Sequence, residues 1–120
     1  MNTIDKRKFE RAHFGCEIFY PTVIYNNISK KFPNDRFHMN TIDISEAGIS
    51  MESDFEIPED CFVSFYLRIE NNLPFKVLVK MRWKRYNNGM VLCGGEFIAL
   101  KLEEIHIMRN YVNAHRNKIV

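Results

Sequence analysis

The strongest constraint on the fold is an alternation of apolar and basic residues over residues 75–85. The apolar positions are Phe75, Val77, Val79, Met81 and Trp83, and the basic positions between them include Lys76, Lys80, Arg82 and Lys84. Because successive side chains of a strand point to opposite faces, the pattern predicts one buried and one solvated face, as in an antiparallel sheet. It also predicts that Trp83 lies in the core.

Turn residues and further alternation extend this sheet. Asn88-Gly89 supplies the positive φ angles of a tight hairpin, so residues 75–85 and 90–97 should pair antiparallel. Shorter alternating stretches predict four more strands, at residues 12–20, 37–44, 48–52 and 61–69. Residues 26–35 are rich in Asn, Lys, Ser and Pro, which is typical of a surface loop.

The end of the chain changes period. Leu102, Ile105, Met108 and Val112 recur at three- and four-residue steps, with acids early and bases late, which predicts an amphipathic helix over about residues 102–117. The predicted fold is therefore mostly β: a six-stranded antiparallel, Greek-key-like β-barrel with a C-terminal α-helix. A closed or nearly closed barrel is expected because closure removes exposed strand edges.

The composition is that of one globular domain. The chain has 120 residues, of which 46% are hydrophobic and 27% charged, enough apolar surface for a core. We predict a single domain over residues 1–120, with a flexible basic segment at 1–11, the barrel at 12–100 and the helix at 102–117. No apolar run is long enough to span a membrane, and the N-terminus has no apolar signal region, so a cytoplasmic location is expected.

Several classes of function are disfavoured. Three cysteines without a C-x-x-C pair argue for free thiols and against a disulfide framework or zinc site. Neither a catalytic Ser/His/Asp or Cys/His arrangement nor a phosphate-binding glycine loop is visible, so we expect a binding protein that is not an enzyme and has no cofactor or metal. A net charge of +2 does not favour a general nucleic-acid coat. A basic cluster at residues 6–11 is suited to an anionic ligand.

Two short patterns occur in a fixed order. Residues 7–11 (RKFER) place two arginines four apart, and residues 43–48 (DISEAG) have the form [DN]-x-S-x-x-G. Predicted strands, a Gly-x-Phe strand at residues 95–97 and the helix follow them. Over residues 6–115 this layout resembles the PilZ domain family. The resemblance implies a six-stranded β-barrel that serves bacteria as a receptor for the second messenger cyclic di-GMP.

The resemblance also implies a ligand site, and the residue types fit it. The implied ligand-binding residues are Arg7, Arg11, Asp43, Ser45 and Gly48, with Lys6 and His13 as further candidates. The planar fork of arginine binds guanine O6 and N7 or a phosphate, and it stacks on a purine. A carboxylate accepts from guanine N–H groups or orients an arginine, and a serine hydroxyl reaches a phosphate or base edge. Glycine allows close backbone approach or a positive φ.

Other interpretations of these residues stay open at this point. Taken alone, the two arginines are also typical of a solvated terminus. Asp43 and Ser45 are also typical of a turn whose side chains hydrogen-bond its own backbone. Gly48 can have a structural role, line the ligand site, or do both. The loop at residues 26–35 makes the gap between the two patterns long, and it either shields the site or reaches a partner.

The expected function is a receptor and adaptor. Residues 6–11 would become ordered over cyclic di-GMP and signal through a partner protein, for which the resemblance implies flagellar, polysaccharide or secretion machinery. The main alternative is a PilZ-like interaction protein that acts without nucleotide. A binder of single-stranded nucleic acid would expose aromatic residues together on one face, whereas most aromatic residues here fall in core phase.

Overall fold

Nine strands and one helix make up the part of the chain described by the computed structural model, residues 10–116. The strands are β1 (Ala12–His13), β2 (Glu17–Ile18), β3 (Thr22–Tyr25), β4 (Ile28–Lys31), β5 (Met39–Ile44), β6 (Gly48–Ser53), β7 (Phe62–Leu67), β8 (Phe75–Asn87) and β9 (Met90–Phe97). The helix α1 (Leu102–His115) follows them. The mostly β class with one C-terminal helix is confirmed.

All strands pair antiparallel in one sheet. Its order is β1-β5-β6-β9-β8-β7-β3-β4, and β2 pairs with β5 beside β1. The predicted hairpin of β8 and β9 is present, with Asn88 and Gly89 at φ 52° and 81° in the turn. These left-handed angles match the right-handed twist of the two strands.

The strand count differs from the predicted six. The stretch at residues 12–20 forms two short strands, β1 and β2. Two further strands were not predicted: β3, and β4 within the segment predicted as a loop, which pair as a hairpin. Asn26 and Asn27 turn this hairpin with φ 51° and 62°. All four residues of β4 are exposed, so its sequence carries no alternation of buried and solvated positions.

The sheet curls but does not close as a barrel. On one side β2 pairs with β5, and on the other β3 pairs with β7 and β4. The strand ladder is therefore interrupted between Ile18 and Thr22, within one continuous segment of chain. Tyr20, in this interruption, has a φ of 52°, and Pro21 follows it.

The inner face of the sheet and one side of the helix form the core. Met39, Ile44, Ile49, Met51 and Val79 are fully buried, and Met108 of α1 joins the same cluster. The helix begins at Leu102 as predicted. It ends at His115, earlier than predicted, because Arg116 takes an extended backbone and bridges to Ala12 beside β1.

A bulge in β8 reverses its alternation. Met81 lies opposite Gly95, but Trp83 lies opposite Gly94, so the strand contains one extra residue at this point. After the extra residue, inward and outward positions exchange. Met81 is buried and Trp83 is 41% exposed. The prediction that Trp83 packs in the core is therefore wrong.

Two glycines allow the central strands to approach closely. A Cβ at Gly95 would lie 2.1 Å from the carbonyl oxygen of Lys80, and a Cβ at Gly48 would lie 2.3 Å from the carbonyl oxygen of Gly95. Both obstacles are backbone atoms, which cannot rotate away as a side chain can. The β8–β9–β6 part of the sheet therefore requires glycine at these positions.

Gly95→Ala should lower the free energy of unfolding by about 1–3 kcal/mol or more, the usual cost of overpacking a rigid site. Urea unfolding followed by circular dichroism measures it. Gly15→Ala is the matched control, because its Cβ would lie 3.4 Å from the side-chain atom Nε2 of His13 and meet no closer obstacle. Equal urea midpoints for Gly95→Ala and wild type would contradict this account of the sheet.

Candidate ligand-binding site

Asp43 is the centre of a small polar cluster on the outer face of the sheet. Its Oδ1 accepts a hydrogen bond from Nη1 of Arg11 at 2.7 Å and from the Ser50 hydroxyl at 2.8 Å. The side chains of Arg11 and Asp43 are 24% and 26% exposed. The cluster is therefore half-buried but reachable from solvent, and it brings together one residue from each of the two sequence patterns.

A row of cross-strand neighbours extends from this cluster. His13 lies opposite Asp43, Asp43 opposite Ser50, Ser50 opposite Gly94, and Gly94 opposite Trp83. Paired residues share a face of the sheet, so these five residues form a continuous outward row across β1, β5, β6, β9 and β8. One end of the row is polar and the other is aromatic.

Trp83 is the residue of this row that sequence reasoning missed. Its indole lies over Gly94, where a Cβ would be 2.5 Å from Nε1, and the guanidinium carbon of Arg85 lies 5.5 Å from the ring centroid. The bulge turned it outward against the phase of its strand. The signal in the sequence was Gly94-Gly95, because glycine inside a strand often marks a bulge or a close approach.

Ser45 is placed inside the turn between β5 and β6. It is 2% exposed, and its hydroxyl accepts from the backbone N–H groups of Ala47 and Gly48 at 3.1 Å each. The N–H of Ser45 donates to the carbonyl of Gly48 at 2.9 Å. This is the local turn bonding that serine and aspartate favour, so Ser45 shapes the turn that follows Asp43.

Gly48 is used for strand packing. Its close approach is to the carbonyl of Gly95 on β9, and its φ is outside the left-handed region. Of the two alternatives for Gly48, a positive φ is therefore wrong. The close approach that the structure shows is to a neighbouring strand, and approach to a ligand stays a prediction.

The helix is tied to both sequence patterns by paired charges. Arg109 donates from Nε and Nη2 to the two carboxylate oxygens of Glu46 at 3.0 and 2.7 Å, within the turn after Asp43. Arg116 donates to both oxygens of Glu10 at 2.8 Å, next to Arg11. The Arg109 hydrogen bond lowers the pKa of Glu46, against an opposing effect of burial.

The remaining candidates divide into described and undescribed residues. His13 is exposed at the end of the row, and its carbonyl accepts from the Tyr111 hydroxyl of α1 at 2.8 Å. Arg7 and Lys6 lie outside the described residues. Of the segment predicted to be flexible, Glu10 and Arg11 are described, and each is in an ion pair.

The three cysteines form no disulfide. Burial raises the pKa of Cys61 to about 11 and that of Cys93 to about 12. Both thiols are therefore protonated at neutral pH and are poor nucleophiles and metal ligands. Within residues 10–116 no group of three or more His, Cys, Asp or Glu side chains is arranged to hold a metal ion.

The Glu46–Arg109 pair predicts a pH-dependent stability. Because the pKa of Glu46 is lowered in the folded chain, its contribution is present above the ordinary carboxyl pKa and is lost as the pH falls through the lowered value. The Tm of wild type should exceed that of Glu46→Gln at neutral pH, and the difference should vanish at low pH. Thermal unfolding across pH measures it. Glu59→Gln, which removes an exposed acid outside the described ion pairs, should show no such trend; an equal trend would contradict the prediction.

One of the comparisons with known proteins identifies the family of the chain. The family model described as PilZ domain matches residues 5–114, nearly the whole chain. The comparison with curated proteins found no match. The described helix is too short and too polar to cross a membrane. The matched span includes both sequence patterns, the complete sheet and almost all of α1. The chain therefore belongs to the PilZ domain family, which is in general a family of cyclic di-GMP-binding adaptor domains.

Proposed function

We propose that this protein is a cyclic di-GMP receptor that binds the nucleotide on the outer face of β5, β6 and β9 and signals through a partner protein. The observation that carries the proposal is the row from His13 to Trp83. It places Asp43, which is paired with Arg11, on the same outward face as an indole, with β6 and β9 between them. Cyclic di-GMP presents two guanines and two phosphates. The row offers a hydrogen-bonding group for a base edge, a cation for a phosphate and a flat surface for a purine.

The arginine–aspartate pair supplies the polar recognition. Oδ1 of Asp43 holds Arg11 and Ser50, while Oδ2 accepts no hydrogen bond from any described residue. A free carboxylate oxygen suits the N–H donors of guanine. Arg11 donates to Asp43 through Nη1 alone within the described chain, so its remaining N–H groups can bind a phosphate or guanine O6 and N7. Asp43 thus both orients Arg11 and accepts from the base.

Trp83 supplies a stacking surface. Trp83 is 41% exposed, and with Gly94 beneath it the indole lies close to the sheet. The guanidinium of Arg85 lies over the ring, 5.5 Å from its centroid, so a base that stacks on the indole takes the place of this guanidinium. Aromatic stacking on a nucleobase contributes about 1–3 kcal/mol per base, which is comparable with a charged hydrogen bond. We therefore add Trp83 to the proposed ligand-binding residues.

The other proposed residues act in different ways. Ser45 and Gly48 act through the β5–β6 turn, which places Asp43 and Ser50 on neighbouring strands. His13 lies beside Asp43 at the polar end of the row. Arg7, with Lys6, is proposed to close over the ligand from the N-terminal segment, a role supported by the sequence pattern and the family match.

The route to a partner is proposed from the connections of the helix. Arg109 holds the turn after Asp43, and Arg116 holds Glu10 next to Arg11. A ligand that competes for Arg11 or moves the turn therefore acts on groups that α1 contacts. The proposed partners are flagellar, polysaccharide or secretion machinery, reached in the cytoplasm.

Arg11→Ala should weaken cyclic di-GMP binding about 10- to 100-fold, because a hydrogen bond to a charged group contributes about 1.5–3 kcal/mol. Isothermal titration calorimetry of the full chain measures the Kd and the number of ligands bound. Arg11→Lys keeps the charge but loses the planar fork. Its affinity for cyclic di-GMP should therefore lie between those of wild type and Arg11→Ala.

Arg36→Ala is the matched control for this titration. It removes an exposed arginine that forms no ion pair with the described residues, so its Kd should equal that of wild type. Equal losses in Arg11→Ala and Arg36→Ala would mean that only net charge matters. No binding by wild type would instead favour the alternative of a PilZ-like interaction protein that acts without nucleotide.

Cyclic di-GMP should change the tryptophan emission of the protein, because Trp83 is its single tryptophan and the base is proposed to stack on it. Trp83→Leu should raise the Kd about 5- to 150-fold, since stacking contributes about 1–3 kcal/mol. Trp83→Phe should lose less affinity for cyclic di-GMP than Trp83→Leu, because it keeps an aromatic ring. Tyr25→Leu removes an exposed aromatic ring on β3 and should leave the Kd unchanged. Saturation in calorimetry without a change in emission would rule out stacking on Trp83.

A further inference from the structure

A groove of about 740 Å³ lies at the interruption of the sheet between β2 and β3. None of its lining residues belongs to the row from His13 to Trp83. Its floor includes the buried ring of Phe65 and the half-buried Cys16. The side chains that give its walls their chemistry are Phe19, Tyr20, Tyr66, Lys31, Arg68 and Lys76.

Three large aromatic side chains are exposed around this groove. Phe19 is 61%, Tyr20 57% and Tyr66 67% exposed. Single exposed apolar residues are ordinary on a protein surface, but several that line one concavity are typical of an interaction site. Aromatic residues are also the ones enriched where proteins bind one another.

The loop that carries Phe19 and Tyr20, between β2 and β3, is held in its exposed position. Tyr20 has a left-handed backbone with φ 52°, a conformation that an aromatic residue adopts only when its surroundings stabilise it. The Asn34 side chain provides that support. It accepts from the Tyr20 N–H and donates to the Ile18 carbonyl at 2.9 Å and to Glu17 at 3.1 Å. The loop is therefore preorganised, which lowers the entropy lost on binding.

The charge of the groove is mainly positive. Lys31, Arg68 and Lys76 are exposed, and within residues 10–116 none of them forms an ion pair. Glu17 is the acidic residue of the lining, and its carboxylate accepts from Asn34. An occupant with carboxylates would complement the three free cations.

We propose that this groove binds an acidic segment of a partner protein. Its apolar side chains pack against Phe19, Tyr20 and Tyr66, and its carboxylates pair with the surrounding cations. Single-stranded nucleic acid shares the preference for aromatic rings and cations, but the Glu17 carboxylate in the lining opposes a polyanion. The groove is separate from the nucleotide site, so this proposal does not depend on cyclic di-GMP binding.

Selection of a phage-displayed library of short random peptides on the immobilised full chain, without nucleotide, tests the proposal. The enriched peptides should combine acidic residues with apolar ones. Their affinity, measured by fluorescence anisotropy of synthetic copies, should fall about tenfold or more in Lys31→Glu and in Tyr66→Ser. Lys30→Glu is the matched control, because the neighbouring residue of a strand points to the opposite face and Lys30 does not line the groove.

Each outcome decides for or against the groove. Unchanged binding in Lys30→Glu and Arg11→Ala, with loss in Lys31→Glu, supports it. No enrichment, or equal binding by Lys30→Glu and Lys31→Glu, would overturn it. Loss in Arg11→Ala would place the peptide at the nucleotide site and also overturn it. Binding of fluorescent oligo-dT or oligo-U that Lys31→Glu abolishes, without peptide enrichment, would assign the groove to nucleic acid instead.

Discussion

The close approach of β8, β9 and β6 is the constraint on which the rest of the structure depends. It requires glycine at Gly48 and Gly95, where a side chain would meet backbone carbonyls, and at Gly94, where it would meet the indole of Trp83. Ser50 of β6 lies opposite Gly94 and donates to Asp43 of β5. The row from His13 to Trp83 therefore crosses the part of the sheet that these glycines allow to pack.

The charged groups around this centre are arranged in pairs that connect different elements. Arg11 joins the N-terminal segment to β5, while Arg109 joins α1 to the turn after β5. These pairs are partly exposed, so each contributes little stability by itself. Their importance is geometric, because they determine which side chains meet at the site. A ligand that replaces one partner of a pair exchanges one charged contact for another and does not have to disrupt the core.

The parts of this protein that could be predicted are those in which a local pattern and the tertiary structure agree. The alternation before Asn88-Gly89 predicted β8, β9 and their hairpin, and the [DN]-x-S-x-x-G pattern predicted that Asp43 is followed by a turn. The bulge that exposes Trp83 was missed, because the alternation of β8 itself does not show it and its signal lies in the glycines of the partner strand. β4 was missed because it buries no residue.

The two proposed binding surfaces lie at opposite ends of one segment of chain. Arg11 belongs to its beginning, and the exposed loop of Phe19 and Tyr20 to its end. Between them the buried Thr41 hydroxyl donates to the Phe14 carbonyl and accepts from the Cys16 N–H at 2.9 Å. This anchor holds the middle of the segment on β5 just before Asp43. Because the segment is held at its middle, we expect the two proposed sites at its ends to act separately, so that a nucleotide and a peptide could occupy the protein together.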